Sequence, residues 1–261
     1  FSQQISVDDS ISPEDLIQQH LVAGCVEASN VTSPINGSIN NITSYGYFEK
    51  ANSNFPFQNG IVLTSGMASK IGNTEDSSII TSGNYDWSTD PAIEDALGIN
   101  NTLNATTIQF QFVSITDRIE FNYIHASEEY YANFPCAFSD GFAFLIKKAG
   151  TNDPYQNIAI VPNTNTPVNT TTIRPEITGF CEASNEEYFA GFNLGDTNFN
   201  GRTEVLTAVA DIKPYVLYDI KLIVSDQNDT NYDTAVFIEG NSFGSVIDLG
   251  DDFQTCASQV V

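Results

Sequence analysis

The chain has 261 residues, 33 acidic side chains against 9 basic ones, a formal net charge of −24 and a sequence pI near 4.1. A field of that sign repels nucleic acid and anionic membranes and makes divalent cations the natural counterpart. With 41% hydrophobic and 11% aromatic residues, the acids do not mark a disordered chain, and no run of about 18 apolar residues is present for membrane insertion.

Phe1-Ser2-Gln3-Gln4 lacks the basic start and apolar core of a signal peptide. Together with four cysteines, one Met and abundant Asn, Thr and Ser, this points to an exported protein whose first residue is a mature N-terminus. Ser12-Pro13-Glu14-Asp15 followed by Leu16, Ile17 and Leu21 predicts a short helix, with Ser12 as its cap and proline at its first position. A second short helix is expected from Pro91 through Ile93 to Leu97.

The rest alternates with period two: Ile108, Phe110 and Phe112; Ile119, Phe121 and Tyr123; Phe142, Phe144 and Ile146; Val216 through Val224; Val236 and Ile238. Such half-buried strands, joined by Asn, Asp, Gly and Pro clusters, predict an all-β chain, an antiparallel β-sandwich of jelly-roll type with one or two short helices. Residues 148–200 read as rich in loops, and the prolines of Pro162 to Asn169 exclude a central strand there. Residues 1–250 are expected to form a single domain, and 251–261 to open a linker or a following module.

Four cysteines allow three pairings. Cys136 with Cys181 is favoured, because these two flank the loop-rich middle and would tie it to the sheet; Cys256 is expected to lack its partner.

The chemistry concentrates at strand junctions. Ser127-Glu128-Glu129-Tyr130 follows a stretch that reads as a strand, Arg118 to Ala126, and Asp140 opens the next, which runs to Lys147; adjacent carboxylates at a strand end need a cation, a proton or hydrogen-bond donors to hold them. Ser225 to Asp233 contains Asp226, Asp229 and Asp233, more oxygen donors than a turn requires. Asp196-Thr197-Asn198-Phe199-Asn200-Gly201 matches the first half of an EF-hand loop, but the twelfth position is Thr207 and no glutamate closes it, so an ordinary Asn-Gly turn competes. Calcium takes six to eight oxygens from several segments, so the candidate ligands are Glu128, Glu129, Asp140, Asp226, Asp229, Asp233 and Asp196. The alternative is acids that only face solvent.

For sugars, the candidate contacts are Trp87, the only tryptophan, with Asp86 and Tyr130. Trp87 either stacks on a sugar or closes over the core edge. Of the two histidines, His20 belongs to the first helix, while His125 reads as a packed strand-end residue. No nucleophile elbow, zinc-binding His-Glu-x-x-His or phosphate loop occurs. A glycan hydrolase using Glu128 or Glu129 stays open, although neighbours on a strand point to opposite faces and make a poor acid/base pair.

Phe55-Pro56-Phe57-Gln58-Asn59-Gly60 running on to Ser65-Gly66, Ile119 to Tyr123 leading into Ser127-Glu128-Glu129-Tyr130, and Phe138-Ser139-Asp140-Gly141-Phe142 occur in a specific order. With Asn157 to Pro162, Thr203 to Ala208 and Ser225 to Glu239, they resemble the choice-of-anchor L domain of bacterial surface proteins, chiefly from Bacteroidota. The resemblance implies an exported, cell-surface, β-rich module upstream of further modules of the same polypeptide, as in type IX secretion cargo and adhesins. It supplies no established activity. The expectation is a calcium-dependent adhesion or carbohydrate-binding module of a secreted bacterial adhesin, not an enzyme, whose partner is a surface glycan or a ligand on a host or prey cell. A glycan-acting hydrolase and a non-binding structural spacer are the alternatives.

Overall fold

The computed structural model describes residues 4–81, 85–138 and 140–245. In chain order the strands are β1 (Ser6–Asp8), β2 (Val26–Ile35), β3 (Tyr45–Glu49), β4 (Asn59–Thr64), β5 (Thr102–Ser114), β6 (Arg118–Ser127), β7 (Gly141–Lys148) and β8 (Gln156–Asn157). They continue as β9 (Phe189–Phe192), β10 (Gly201–Thr203), β11 (Leu206–Asp211), β12 (Tyr218–Gln227), β13 (Thr234–Glu239) and β14 (Gly244–Ser245). The strands form two sheets. A nine-stranded sheet runs β1-β3-β4-β13-β6-β10-β9, with β11 and β14 also paired to β6, and a five-stranded sheet runs β2-β5-β12-β7-β8.

All of these ladders are antiparallel. The chain is therefore the β-sandwich that its alternation predicts. Ile108, Phe110 and Phe112 of β5, Phe142 and Phe144 of β7 and Leu222 of β12 meet Phe121 and Tyr123 of β6 and Val236 of β13 in one buried core. The period-two pattern puts every second side chain there.

Both outer faces are also partly covered, so β13 and the end of β6 are buried on both faces rather than half-buried as their alternation suggests. Phe48, Phe55, Phe57, Val62, Ile124 and Phe237 pack on the outside of the larger sheet. On the smaller sheet, helix α2 (Pro91–Leu97), capped by the Asp90 side chain, lays Ile93 over Ala143, Leu145 and Ile223. Helix α1 (Pro13–Asp15) is capped by Ser12 and runs into a wider turn, Leu16–Leu21, that buries Leu16, Ile17 and Leu21.

Strand boundaries differ from the sequence reading by one to three residues: β12 runs past Val224 to Gln227, and β7 is shifted by one, to Gly141–Lys148. β12 begins at Tyr218, not Val216, because Tyr215 adopts φ 61° and turns the chain. β6 runs one residue further, to Ser127, where it pairs with Thr234.

Cys136 and Cys181 are disulfide-bonded across 45 residues, as favoured. The bond fastens the loop between β6 and β7 to the irregular region that follows β8. Replacing both cysteines by serine is expected to cost about 2–4 kcal/mol, read as a lower unfolding midpoint under non-reducing conditions. Cys256 and the expected linker 251–261 lie outside the described residues.

Candidate functional site

Six strand ends meet at one end of the sandwich: the C-terminal ends of β4, β6 and β12 and the N-terminal ends of β5, β7 and β13. Register sets what they deliver. Ser127 pairs with Thr234 across β6 and β13, Ser225 pairs with Gly141 across β12 and β7, and a bulge between Val224 and Asp226 re-aims Asp226. Glu128, Glu129, Asp140, Asp226 and Asp233 thereby gather, each at most 6% exposed. Solvent-facing glutamates are ruled out.

The two glutamates sit just past the strand and diverge. Glu128 Oε1 accepts from the Ile80 amide at 3.2 Å, whereas Glu129 Oε2 accepts from the Asp140 amide at 3.0 Å. Asp140 Oδ1 accepts from the Gln227 amide at 3.1 Å, and its Oδ2 accepts from the Thr234 hydroxyl at 2.7 Å. Asp226 Oδ2 accepts from Asn104 Nδ2 at 2.9 Å, while its buried Oδ1 has no hydrogen-bond partner among the described residues. The Ser225 hydroxyl is buried and equally unmet.

Packing is tight around Asp233. A Cβ on Gly66 would fall 1.7 Å from Asp233 Oδ2. Gly66→Ala is expected to destabilise by about 1–3 kcal/mol by forcing that carboxylate aside, a loss readable by denaturant unfolding.

Among the described residues, no ion pair joins these carboxylates to a basic side chain. The ion pairs among the described residues are Arg118–Glu120, Arg202–Asp196 and Lys221–Asp90, all elsewhere. Burial, with repulsion from Asp233 and Asp76, pushes Glu128 up to about 7, against the ordinary 4.5, although the Ile80 amide pulls the other way. Burial and the nearby Asp229 raise Glu129 to about 7 as well. Asp140 and Asp226 stand well above the usual carboxylate range. Burial is the main cause for each, with Glu129 and Asp226 repelling Asp140, and Asp233 and Glu129 repelling Asp226; hydrogen bonding from Thr234 and Gln227 to Asp140, and from the Ser65 and Asn104 side chains to Asp226, pulls the other way. An arrangement of this kind holds protons or takes up a hard cation. Among the described residues, no three His, Cys, Asp or Glu side chains converge as a preformed metal-binding group.

The remaining sequence candidates are not members of this buried group. Asp229 is exposed and closes an Asx turn, its Oδ1 accepting from the Asn231 amide at 2.8 Å. Asp196 is buried against Arg202, 2.9 Å between Nη2 and Oδ2. Gly201 does not turn an EF-hand loop: it opens β10, where an added Cβ would lie 2.6 Å from Tyr130 Cβ. Trp87 closes over the core edge at 7% exposure, donating Nε1–H to the Ala105 carbonyl at 2.7 Å. Asp86 beside it is exposed, and its carbonyl accepts from Asn40. Tyr130 is buried, with its hydroxyl donating to the Ile173 carbonyl at 2.8 Å. His125 stacks on Phe142 at 5.4 Å, and burial holds its pKa down near 3, so it stays a neutral packed ring.

Sequence reasoning missed Asn104 and Gly66. Gly66 had a local signal, the run of small residues that ends β4, but Asn104 had none, lying 122 residues from the aspartate it serves.

No helix among the described residues is long and apolar enough to cross a membrane. No curated protein and no solved structure matches the chain. The family model for the Choice-of-anchor L domain does match, over residues 4–244, nearly the whole length. The chain thus belongs to the choice-of-anchor L domain family and is a cell-surface module of bacterial proteins.

Proposed function

We propose that this module serves calcium-dependent adhesion or carbohydrate binding on an exported bacterial surface protein, with type IX secretion as its export route. The observation that carries the reading is the buried acid cluster, which no ion pair among the described residues joins to a basic side chain and in which Asp226 Oδ1 accepts no hydrogen bond from a described residue. Calcium accepts carboxylate, hydroxyl and amide oxygens in flexible geometry, and this end of the sandwich offers all three. The ion would draw Glu129, Asp140, Asp226 and Asp233 onto a common centre that they do not share without it. In doing so it would lock the two loops that join β6 to β7 and β12 to β13.

The hydrolase reading is weaker on geometry. Glu128 and Glu129 are 1% and 6% exposed, whereas glycoside hydrolysis needs two carboxyl groups flanking a bond in an open cleft.

The test is a glycan array probed with the labelled chain in millimolar calcium and in chelator. Retention on a subset of glycans in calcium, lost in chelator, supports the proposal. Equal retention in both overturns the calcium dependence, and a blank array in both favours the structural spacer.

A further inference from the structure

The two loops that carry the acids also carry an aromatic cluster that the core does not use. Tyr131 and Phe138 are 50% and 49% exposed. Phe134 bridges them, 5.8 Å from Tyr131 and 5.3 Å from Phe138 between ring centres, and lies 5.0 Å from Tyr232 of the other loop. Tyr131 and Tyr232 lie nearly parallel, 26° apart in plane. Cys136, between Phe134 and Phe138, is the disulfide-anchored residue, so the rings are held on a fastened loop. Tyr232 is held at φ 62°, a conformation that a bulky side chain adopts only under constraint.

Beside the rings, Tyr131 also forms one wall of an open cavity of about 450 Å³, which Ser77, Ser78, Asn193 and Asn200 line with hydroxyl and amide groups. The size falls within the range of small-molecule sites, about 300–1,000 Å³. Asn200 donates to the Glu128 carbonyl at 2.8 Å, joining the cavity wall to the acid loop.

From this juxtaposition we propose that Tyr131 and its neighbouring rings, together with the Ser77–Asn200 cavity, form a binding site for neutral oligosaccharide. Ring faces carry negative potential that attracts the C–H groups on the flat side of a sugar. The cavity supplies donors and acceptors for the hydroxyl rim. Among the described residues that line it, the only charged ones are Glu75 and Asp76, both acidic, which disfavours anionic sugars and phosphate. A stable protein interface needs about 800 Å² from each partner; these four rings are at most half exposed, so of about 150–250 Å² per ring they leave only about 300–500 Å² to cover, which falls short of that. The proposal rests on the carbohydrate-binding reading above and names its ligand class and its contacts.

The experiment titrates the full chain with neutral hexaoses of glucose, mannose and xylose, and with oligogalacturonate, by calorimetry in millimolar calcium and again in chelator. At least one neutral hexaose is expected to bind and oligogalacturonate is not. Tyr131→Ala should weaken binding at least tenfold, Tyr131→Phe by less than threefold, and neither should shift the melting temperature appreciably, since the ring is half exposed. Phe138→Ala should also weaken binding. No neutral hexaose bound at millimolar concentration, or binding unchanged in both alanine variants, overturns the assignment. A dimer that Phe138→Ala dissociates, with no sugar bound, would give the rings to a second copy instead. Sugar binding that persists in chelator keeps this site and removes only the calcium dependence. Calcium binding without sugar binding does the reverse.

Discussion

In chelator, Asp226→Asn is expected to raise the melting temperature, and in millimolar calcium to lower it relative to the unchanged protein. The first effect follows from repulsion. Asp226 is fully buried and is pushed toward protonation by burial and by Asp233 and Glu129, so an amide of the same shape removes the cost of either taking up that proton or burying the charged carboxylate. Its oxygen can keep the bond from Asn104, and its NH₂ can donate to a neighbouring carboxylate. A gain of about 1–3 kcal/mol is the scale for such a site. The second effect follows from linkage: a ligand at a hundred times its Kd stabilises by about 2.7 kcal/mol, about 5–10 °C for a domain of this size class. The amide, without charge, forfeits much of that. A purely structural hydrogen-bonding role predicts the same sign in both buffers, so paired thermal melts separate the two.

The metal-free protein is expected to lose stability as pH rises from about 4.5 to about 7. Glu128 and Glu129 have folded values near 7 against an ordinary 4.5, so the folded state binds more protons than the unfolded chain across that window. Stability then falls with increasing pH, fully present below the unfolded value and lost as pH passes the folded one. For Glu128 alone the shift corresponds to about 3 kcal/mol. Calcium should flatten or invert the slope, because it binds the deprotonated cluster and competes with protons. Melts at pH about 4.5, 6 and 7.5, each in chelator and in calcium, check both statements. A chelated protein that melts higher at pH about 7.5 than at about 4.5 contradicts them.

The sandwich was legible because its strands alternate cleanly: Ile108, Phe110 and Phe112, or Ile220, Leu222 and Val224, can face one core only as strands. Helix α2 was legible from Pro91 and the apolar spacing that follows. The acidic junctions at 127–140 and 225–233 were legible too, since no turn needs so many carboxylates.

What the sequence hid depends on long-range register. Asn104 enters the site because β5 pairs with β12, and Gly66 because β4 pairs with β13. Asp229 is one of three similar aspartates in its loop, and only tertiary placement separates it, exposed in its Asx turn, from the buried Asp226 and Asp233. Trp87 and Tyr130 are aromatic residues beside polar ones, a pattern that a surface platform and a core edge share. Here their N–H and O–H groups find backbone carbonyls and the rings go inward. The half-exposed rings fall instead at Tyr131, one residue on from Tyr130, and at Phe138, held in the disulfide-anchored loop.

The central claim is that the buried carboxylates at this end of the sandwich hold a hard cation. Calorimetric titration of the chelator-treated chain with calcium at pH about 7.5 tests it most directly. Saturable binding that Asp226→Asn weakens at least tenfold, while Asp229→Asn leaves it within a few-fold, is the predicted result. No measurable binding at millimolar calcium, with a melting temperature identical in calcium and in chelator, would contradict it.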